Sequence, residues 1–466
     1  MTSSEIRESA VQERTPHPWR WRILGFLGVA QLMLILDVTV VAIALPHIET
    51  DLGMGREALT WTVSAYTLTF GGLMLLGGRI ADLLGAKRVV LAGLLVLTAA
   101  SLVTGLADTG AILLSGRVAQ GVGAALLSPS ALSLVVTLFD GDERNRALGV
   151  WSALGGGGAA LGVLLGGLLT AGPGWPWVFY VNVPIGLAIV VALAVMLPRQ
   201  GGAVPRARVD VLGAALVTAS SGAVIYALIS AGDHGWLTAT TGLLLLLAAV
   251  GYALFVVWQR RARSPLMDVM LLARRPVATG TFLILMATAL MIAVFFLGTF
   301  YFQHARGYGA LHTGLLFLPV ALATMIGANA TGRVIGRWGA RPLGVAGLAI
   351  AAVGMSAPAV SMRPVVVVVS VAVAAAGTGA MFVVASATAL GQVAPHEAGV
   401  ASGIVSTFHE FGASIGAAVM SSVAAASLVG DTLSGFTDGF VVAAVAAGLS
   451  AVVAALLTPG RPGRVH

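Results

Sequence analysis

Gly78-Arg79-Ile80-Ala81-Asp82-Leu83-Leu84-Gly85-Ala86-Lys87 recurs in altered form as Gly332-Arg333-Val334-Ile335-Gly336-Arg337-Trp338-Gly339-Ala340-Arg341. The two segments lie 254 residues apart. The same offset pairs Glu143 with Glu397, Ala147 with Ala401, Gly149 with Gly403, Gly158 with Gly412 and Gly162 with Gly416. Glycine-rich apolar segments match by chance now and then, but one offset shared by separate regions marks a duplicated unit.

Outward from these segments, apolar stretches of membrane-crossing length, about 20 residues, fall at roughly 22–46, 60–80, 89–107, 112–139, 146–170, 178–197, 210–231, 238–258, 276–303, 312–332, 342–361, 366–391, 399–428 and 437–457. The offset makes the first six the counterparts of the last six, with the seventh and eighth inserted between them. The expected fold is an all-α membrane protein of two six-helix bundles plus two inserted helices. Its expected divisions are a tail over 1–21, a bundle over 22–200, the inserted pair over 201–262, a second bundle over 263–458 and a tail over 459–466. Parallel repeats with a substrate site at their interface are a transporter architecture in which two halves rock about a central cavity.

Charge fixes the expected orientation. Of 26 Lys and Arg residues, 22 fall in the two tails and in every second loop, leaving Arg56, Arg306 and Arg363 opposite and Arg117 inside the fourth stretch. Such a bias places the rich side, and both termini, in the cytosol. The composition is 58% hydrophobic and 10% charged, against about 25% charged in soluble proteins. The bilayer is therefore its main solvent. The net charge of +7 is scattered over loops with no basic helix or basic-aromatic sheet pattern, so nucleic acid is not an expected partner. Without cysteine there are no disulfides or thiolate metal sites. No His-Glu-x-x-His motif, nucleophile elbow or metal-ligand cluster points to an enzyme or a bound cofactor. Gly155 to Gly158 lie in an apolar stretch and lack the Lys-Ser or Lys-Thr that completes a phosphate loop.

Ionisable residues inside a membrane cost about 2.5 to 3.5 kcal/mol each on insertion scales, which makes them functional candidates. Asp37 and Arg117 lie at similar depths, roughly 13 Å and 9 Å from the non-cytosolic side at the helical rise, so the two can meet. Desolvation and a nearby cation act in opposite senses on a carboxylate, and an Asp whose partner moves is a natural proton carrier. The alternative is a static pair fixing the first helix to the fourth. Coupling also requires that the acid reach water as the halves tilt.

His409 and Glu410 sit mid-helix in the thirteenth stretch, where the first half has Gly156. They can relay a proton or meet a cationic substrate, although neighbours on a helix point about 100° apart, so one of them can instead be satisfied by a neighbouring helix. Gly149, Gly158, Gly162, Gly166 and Gly167 give the fifth helix a small-residue face for sliding or simply for tight packing. Phe295, Phe296 and Tyr301 are candidates for a greasy substrate cavity, with a lipid-facing position as the alternative.

These residues carry a resemblance. Gly78 to Arg88 resembles the signature after helix two of the major facilitator superfamily. Leu114-Ser115-Gly116-Arg117-Val118-Ala119-Gln120-Gly121-Val122-Gly123-Ala124 resembles the helix-four motif of its proton-coupled members. Leu36-Asp37-Val38-Thr39-Val40-Val41-Ala42-Ile43-Ala44-Leu45-Pro46 is similar to helix one of the fourteen-helix drug:proton antiporters, and Trp177 to Gly186 to the entry of their helix six. The resemblance implies proton-coupled efflux of hydrophobic or cationic small molecules from the inner membrane by a monomer, with protons as coupling ion and no cofactor. A symporter or a dedicated exporter of one metabolite is the alternative on the same fold. By the same resemblance Arg117 transfers protons and Asp37 is the helix-one acid. Gly78, Asp82, Gly85, Lys87 and Arg88 form a cytoplasmic gate, in which Asp82 meets Arg144 or the start of helix thirteen near Gly399. One departure stands out: the helix-five antiporter motif ends Gly-Pro-x-x-Gly-Gly, whereas Gly162-Val163-Leu164-Leu165-Gly166-Gly167 has no proline, which removes the expected kink.

Overall fold

The computed structural model describes residues 18–197, 209–391, 393, 398–429 and 432–458. All regular structure in it is helical. The first half contains α1 (Arg20–Leu52), α2 (Arg56–Leu84), α3 (Ala86–Gly105), α4 (Gly110–Leu138), α5 (Gly141–Ala171) and α6 (Trp177–Met196). Then come α7 (Val211–His234) and α8 (Ala239–Arg261), followed by α9 (Arg275–Ala305), α10 (Ala310–Trp338), α11 (Ala340–Val360), α12 (Pro364–Leu390), α13 (Ala398–Val423) and α14 (Ser434–Leu457). Twelve of these helices are long and apolar enough to cross a membrane. Of the remaining two, α5 has 31 residues and α13 has 26, diluted by His409, Glu410 and several Ser and Thr.

The duplication is written in the backbone. Gly53 (φ 59°) and Gly307 (φ 67°) stand at the 254-residue offset, as do Gly85 (φ 90°) and Gly339 (φ 87°). Each takes a positive φ that glycine adopts without a Cβ clash. Close helix crossings repeat as well. A Cβ on Gly93 would lie 2.8 Å from Gly123 O where α3 crosses α4, and one on Gly347 would lie 3.0 Å from Gly377 O where α11 crosses α12. Contacts of α5 with α1 and of α2 with α4 in the first half match α13 with α9 and α10 with α12 in the second.

Two helix boundaries differ from expectation, and both matter. Pro46 does not end α1, which runs on to Leu52. The second helix starts at Arg56, not at 60, so Arg56 is a buried helical residue, not a loop cation. The chain's even alternation puts the start of α1 and the end of α14 at one end of the bundle, called proximal below, and the turn around Gly53 at the distal end. α7 packs on both α2 and α13, with α8 against its outer side. The inserted pair therefore leans on the seam between the halves.

Candidate functional site

One polar cluster is sealed inside the first half. Arg117 on α4 is fully buried and Asp37 on α1 is 3% exposed. Arg117 Nη1 donates to Asp37 Oδ2, closing an ion pair, and also to Gln120 Oε1 at 3.0 Å. Arg117 Nε donates to the carbonyl of Thr62 on α2 at 2.8 Å. Gln120, one turn along α4, donates to Asp37 Oδ1 at 3.2 Å and to Ser101 Oγ on α3 at 2.8 Å. The Tyr66 ring stacks 4.4 Å from the guanidinium carbon and Phe179 covers it at 5.9 Å. Burying both ions costs several kcal/mol apiece, and these hydrogen bonds and ring contacts offset part of that cost, while Arg117 Nη2 has no hydrogen-bond partner among the described residues.

The second half shows that the fold does not need this cluster. At the 254-residue offset Asp37, Tyr66, Ser101, Arg117 and Gln120 become Met291, Val320, Met355, Val371 and Ala374, all apolar and all buried. An apolar core serves the same crossing there. A buried ionic network kept in one copy and dispensed with in the other is weak evidence for stability and good evidence for use.

Asp37 faces neither lipid nor the seam, and in this conformation it is closed to water, so the expected exchange with either compartment requires the halves to tilt. The physical reason is that α1, α3 and α4 enclose it and α2 caps it. The cap connects the cluster to the seam, because α2 has two faces. Thr62 and Tyr66 cover Arg117. On the opposite face Thr60 Oγ1 donates to Ser421 Oγ at 2.6 Å, Thr67 Oγ1 and Ser414 Oγ share a 2.5 Å bond, and a Cβ on Gly71 would lie 2.7 Å from Cβ of Glu410. Any parting of α2 from α13 moves the helix that lids the ion pair. Gln120 and Tyr66 escaped the sequence reading; the spacing of Gln120, three residues after Arg117, was the signal available for the first.

Glu410 stands on α13 at this seam, 8% exposed, with no hydrogen bond or ion pair among the described residues. His409 points elsewhere, its Nδ1 3.0 Å from Thr288 Oγ1 on α9. The two neighbours thus serve different surroundings, as a 100° turn requires.

Of the helix-five glycines, Gly158, Gly162 and Gly166 lie against α1, at Leu32 and Ile35, at Thr39, and at Val40. Gly167 faces Ala310 and Leu311 of α10 across the distal seam, where the carbonyl of Val163 meets Gly314. α5 is one unbroken helix through Val163. The side-chain surroundings of Gly149 lie outside the described residues. Phe295, Phe296 and Tyr301, expected at a cavity or at the lipid face, are buried in side-chain packing. Phe295 packs on Phe317 and Phe296 on Phe300, while Tyr301 is tied to the Met362 carbonyl and to Arg306. They fill the distal core because the second half is closed there.

At the proximal end Asp82 is 65% exposed and its ion pair, at 3.9 Å, is with Arg79 of the same helix. Arg144 is engaged by Asp140 at 2.8 Å and by Phe139 O at 2.9 Å, so the expected Asp82–Arg144 contact is absent from this conformation. The segment leading into α13 lies outside the described residues. Lys87 Nζ donates to the carbonyls of Ala194, at 3.0 Å, and Leu197, pinning α3 to the end of α6. Arg88 is exposed, Gly78 sits beside Pro129, and Gly85 makes the positive-φ turn.

Comparison with known proteins matches the family model "Major Facilitator Superfamily" over residues 27–417. The chain belongs to the Major Facilitator Superfamily. Members of this superfamily are transport proteins, and the chain is one of them. It is 37% identical to the puromycin resistance protein pur8 of Streptomyces alboniger, over 96% of this chain and 93% of that protein. Identity to the cephamycin export protein CmcT of Amycolatopsis lactamdurans is 36%, covering 94% and 93%. Multidrug resistance protein Stp of Mycobacterium tuberculosis is 35% identical over 86% and 75%. Among solved structures, an inward-facing, unoccupied bacterial homologue of the human lysosomal transporter Spinster superposes with a TM-score of 0.64 at 16% identity, covering 95% and 97%. A peptide transporter of the POT family gives 0.66 at 18%, covering 98% of each chain. Both share the superfamily fold.

Proposed function

We propose that this protein exports hydrophobic, cationic or amphipathic small molecules through the cytoplasmic membrane in exchange for protons, by alternating exposure of a site between its halves. The observation that carries the reading is the one-sided cluster of Asp37, Arg117 and Gln120, present in the first half and replaced by Met291, Val371 and Ala374 in the second. All fourteen helices cross the bilayer in this reading, with both termini in the cytosol as the 22 cations on that side require. One chain holds both halves, so a monomer suffices, and the proton is the only ion or cofactor the reading needs.

Asp37 carries the proton. Protonation removes the charge that holds Arg117, and Arg117 then relies on Gln120 and on the Thr62 carbonyl of α2. The coupling runs through α2: rocking of the seam shifts Tyr66 and Thr62, opens the cluster to water and lets the proton exchange. Glu410, unpartnered at the same seam, attracts the positive charge of a cargo molecule. For a neutral cargo, one proton entering through 100 mV supplies about 2.3 kcal/mol, more than tenfold in accumulation, before any pH gradient is added; a monovalent cation exchanged for one proton moves no net charge and is driven by the pH gradient alone.

Relatives named for puromycin resistance, cephamycin export and multidrug resistance support antibiotics as cargo. The name of a relative that exports cephamycin also supports a narrower reading, a dedicated exporter of one metabolite. Efflux of a panel of dyes and antibiotics from a pump-deleted host expressing this chain tests both. Proton-dependent efflux of several unrelated cations supports the broad reading, and efflux of one compound the narrow one. Failure of an imposed pH gradient to drive any efflux refutes proton exchange.

A further inference from the structure

Beside the seam lies a second feature. A cavity of about 330 Å³ opens between the inserted pair and the halves, within the size range of small-molecule sites, about 300 to 1,000 Å³. Its deep wall is Gly71, Thr407 and Phe411 at the α2–α13 seam, its outer wall Tyr252 and Phe255 of α8, and its proximal mouth Arg260 and Met270. Nearly all of the lining is apolar.

The mouth is a constructed feature. Asp210 Oδ2 accepts from Gln259 Nε2 at 2.6 Å and Asp210 Oδ1 from Trp258 Nε1 at 2.8 Å. Gln259 Oε1 in turn accepts from the backbone of Leu266 at 2.8 Å and Met267 at 3.3 Å, which straps the segment before the short helix Val269–Ala273 across the opening. That bonding absorbs Asp210. Of the nearby acids, Asp268 is engaged in capping Met270 N at 2.9 Å. Arg260 is exposed at the rim with no hydrogen bond or ion pair among the described residues, and Arg261 and Arg263 follow it. Deep inside, Thr407 is 6% exposed and its hydroxyl has no hydrogen-bond partner among the described residues.

We propose that this cavity is a binding site for an acidic phospholipid of the leaflet at the proximal face, with an acyl chain between α7–α8 and α2–α13, its ester region at Thr407 and its headgroup at Arg260. The mouth is positive where acidic lipid headgroups lie; the interior is apolar where the chain lies; the orphan hydroxyl lacks the acceptor that an ester carbonyl supplies. The lipid would fill the wedge between the inserted pair and the moving seam. The assignment does not depend on the direction of transport or on proton coupling.

The test is photo-crosslinking in phosphatidylcholine vesicles doped with a phospholipid carrying a diazirine on its acyl chain, with either a glycerol (acidic) or a choline (neutral) headgroup. The acidic probe is expected to label peptides containing Val217 and Phe408 about fivefold more than the neutral one, and Arg260→Gln to remove that preference. Labelling around Leu246 on the lipid face is expected to stay equal for both probes. A bulky Val217→Trp, its fold checked by melting, is expected to lose the internal label. Equal labelling by both probes, no label inside the cavity, or displacement of the label by an exported cation overturns the proposal.

Discussion

Arg56 and Asp233 form an ion pair at 2.7 Å that ties α2 of the first half to α7 of the inserted pair. The same guanidinium donates to Ser421 Oγ of α13 at 2.9 Å and to the carbonyl of Ile229 at 3.0 Å. One side chain thus clasps three bodies at the distal end, and Gln303 Nε2 of α9 adds a bond to the carbonyl of Ile43 at 2.9 Å. Rocking that opens this end must break the clasp. Asp233→Asn removes the charge on one side only, leaving Arg56 buried and underpaired. Because the chain has no cysteine, a single Ser64→Cys on the buried seam reports opening. Its reaction with a membrane-impermeant thiol reagent is expected to rise about tenfold in the Asp233→Asn background, equivalent to about 1.4 kcal/mol of lost closure. An unchanged rate removes the clasp from the gating account.

The glycine crossings predict a stability contrast. A Cβ at Gly123 would lie 2.7 Å from Leu97 N and 2.9 Å from Gly93 O, both backbone atoms that have no freedom to yield. Gly123→Val is expected to cost about 1 to 3 kcal/mol or more through overpacking and to lower the melting temperature in detergent. Gly25→Ala, with nothing within 4 Å of the new methyl, is expected to be neutral.

Much of this architecture was legible in the sequence because the bilayer enforces it: spans must be apolar and long, and a 254-residue repeat leaves matching glycines. The meeting of Asp37 and Arg117 followed from similar depth. The sequence did not reveal what depends on rotation about a helix axis. Phe295, Phe296 and Tyr301 turn into the distal core, and Arg56 reads as a loop cation until α2 is seen to begin there. Gln120 and Tyr66 reveal their roles only when α2, α3 and α4 are assembled around Arg117. The expected contact of Asp82 with Arg144 is not made, because Asp82 pairs with Arg79 and Arg144 with Asp140.

Gln120 is a positioning residue, acting through the carboxylate and guanidinium it bonds. Gln120→Leu leaves Asp37 Oδ1 and Ser101 Oγ without this donor, at about 1 to 3 kcal/mol for the polar groups left unmet. Transport is expected to slow about tenfold, with substrate KM little changed and melting lowered only slightly. Gln120→Glu, which adds a charge beside Asp37, is expected not to rescue the rate. A variant with normal turnover shows the bond to be dispensable.

Glu410 predicts discrimination by charge. Glu410→Gln keeps the volume and removes the negative charge at the seam, so KM for a cationic substrate is expected to rise about tenfold, or about 1.4 kcal/mol. KM for a neutral hydrophobic substrate is expected to stay within about twofold, well under 1 kcal/mol. Equal loss for both substrates assigns Glu410 to the coupling machinery instead of to cargo recognition.

Proton flux and drug flux recorded together in proteoliposomes under an imposed pH gradient show whether Asp37 carries the coupled proton. Asp37→Asn is expected to retain substrate binding and downhill exchange, while substrate-driven proton movement and gradient-driven accumulation are abolished. Wild-type proton movement per molecule of drug in Asp37→Asn would show that another group carries the proton.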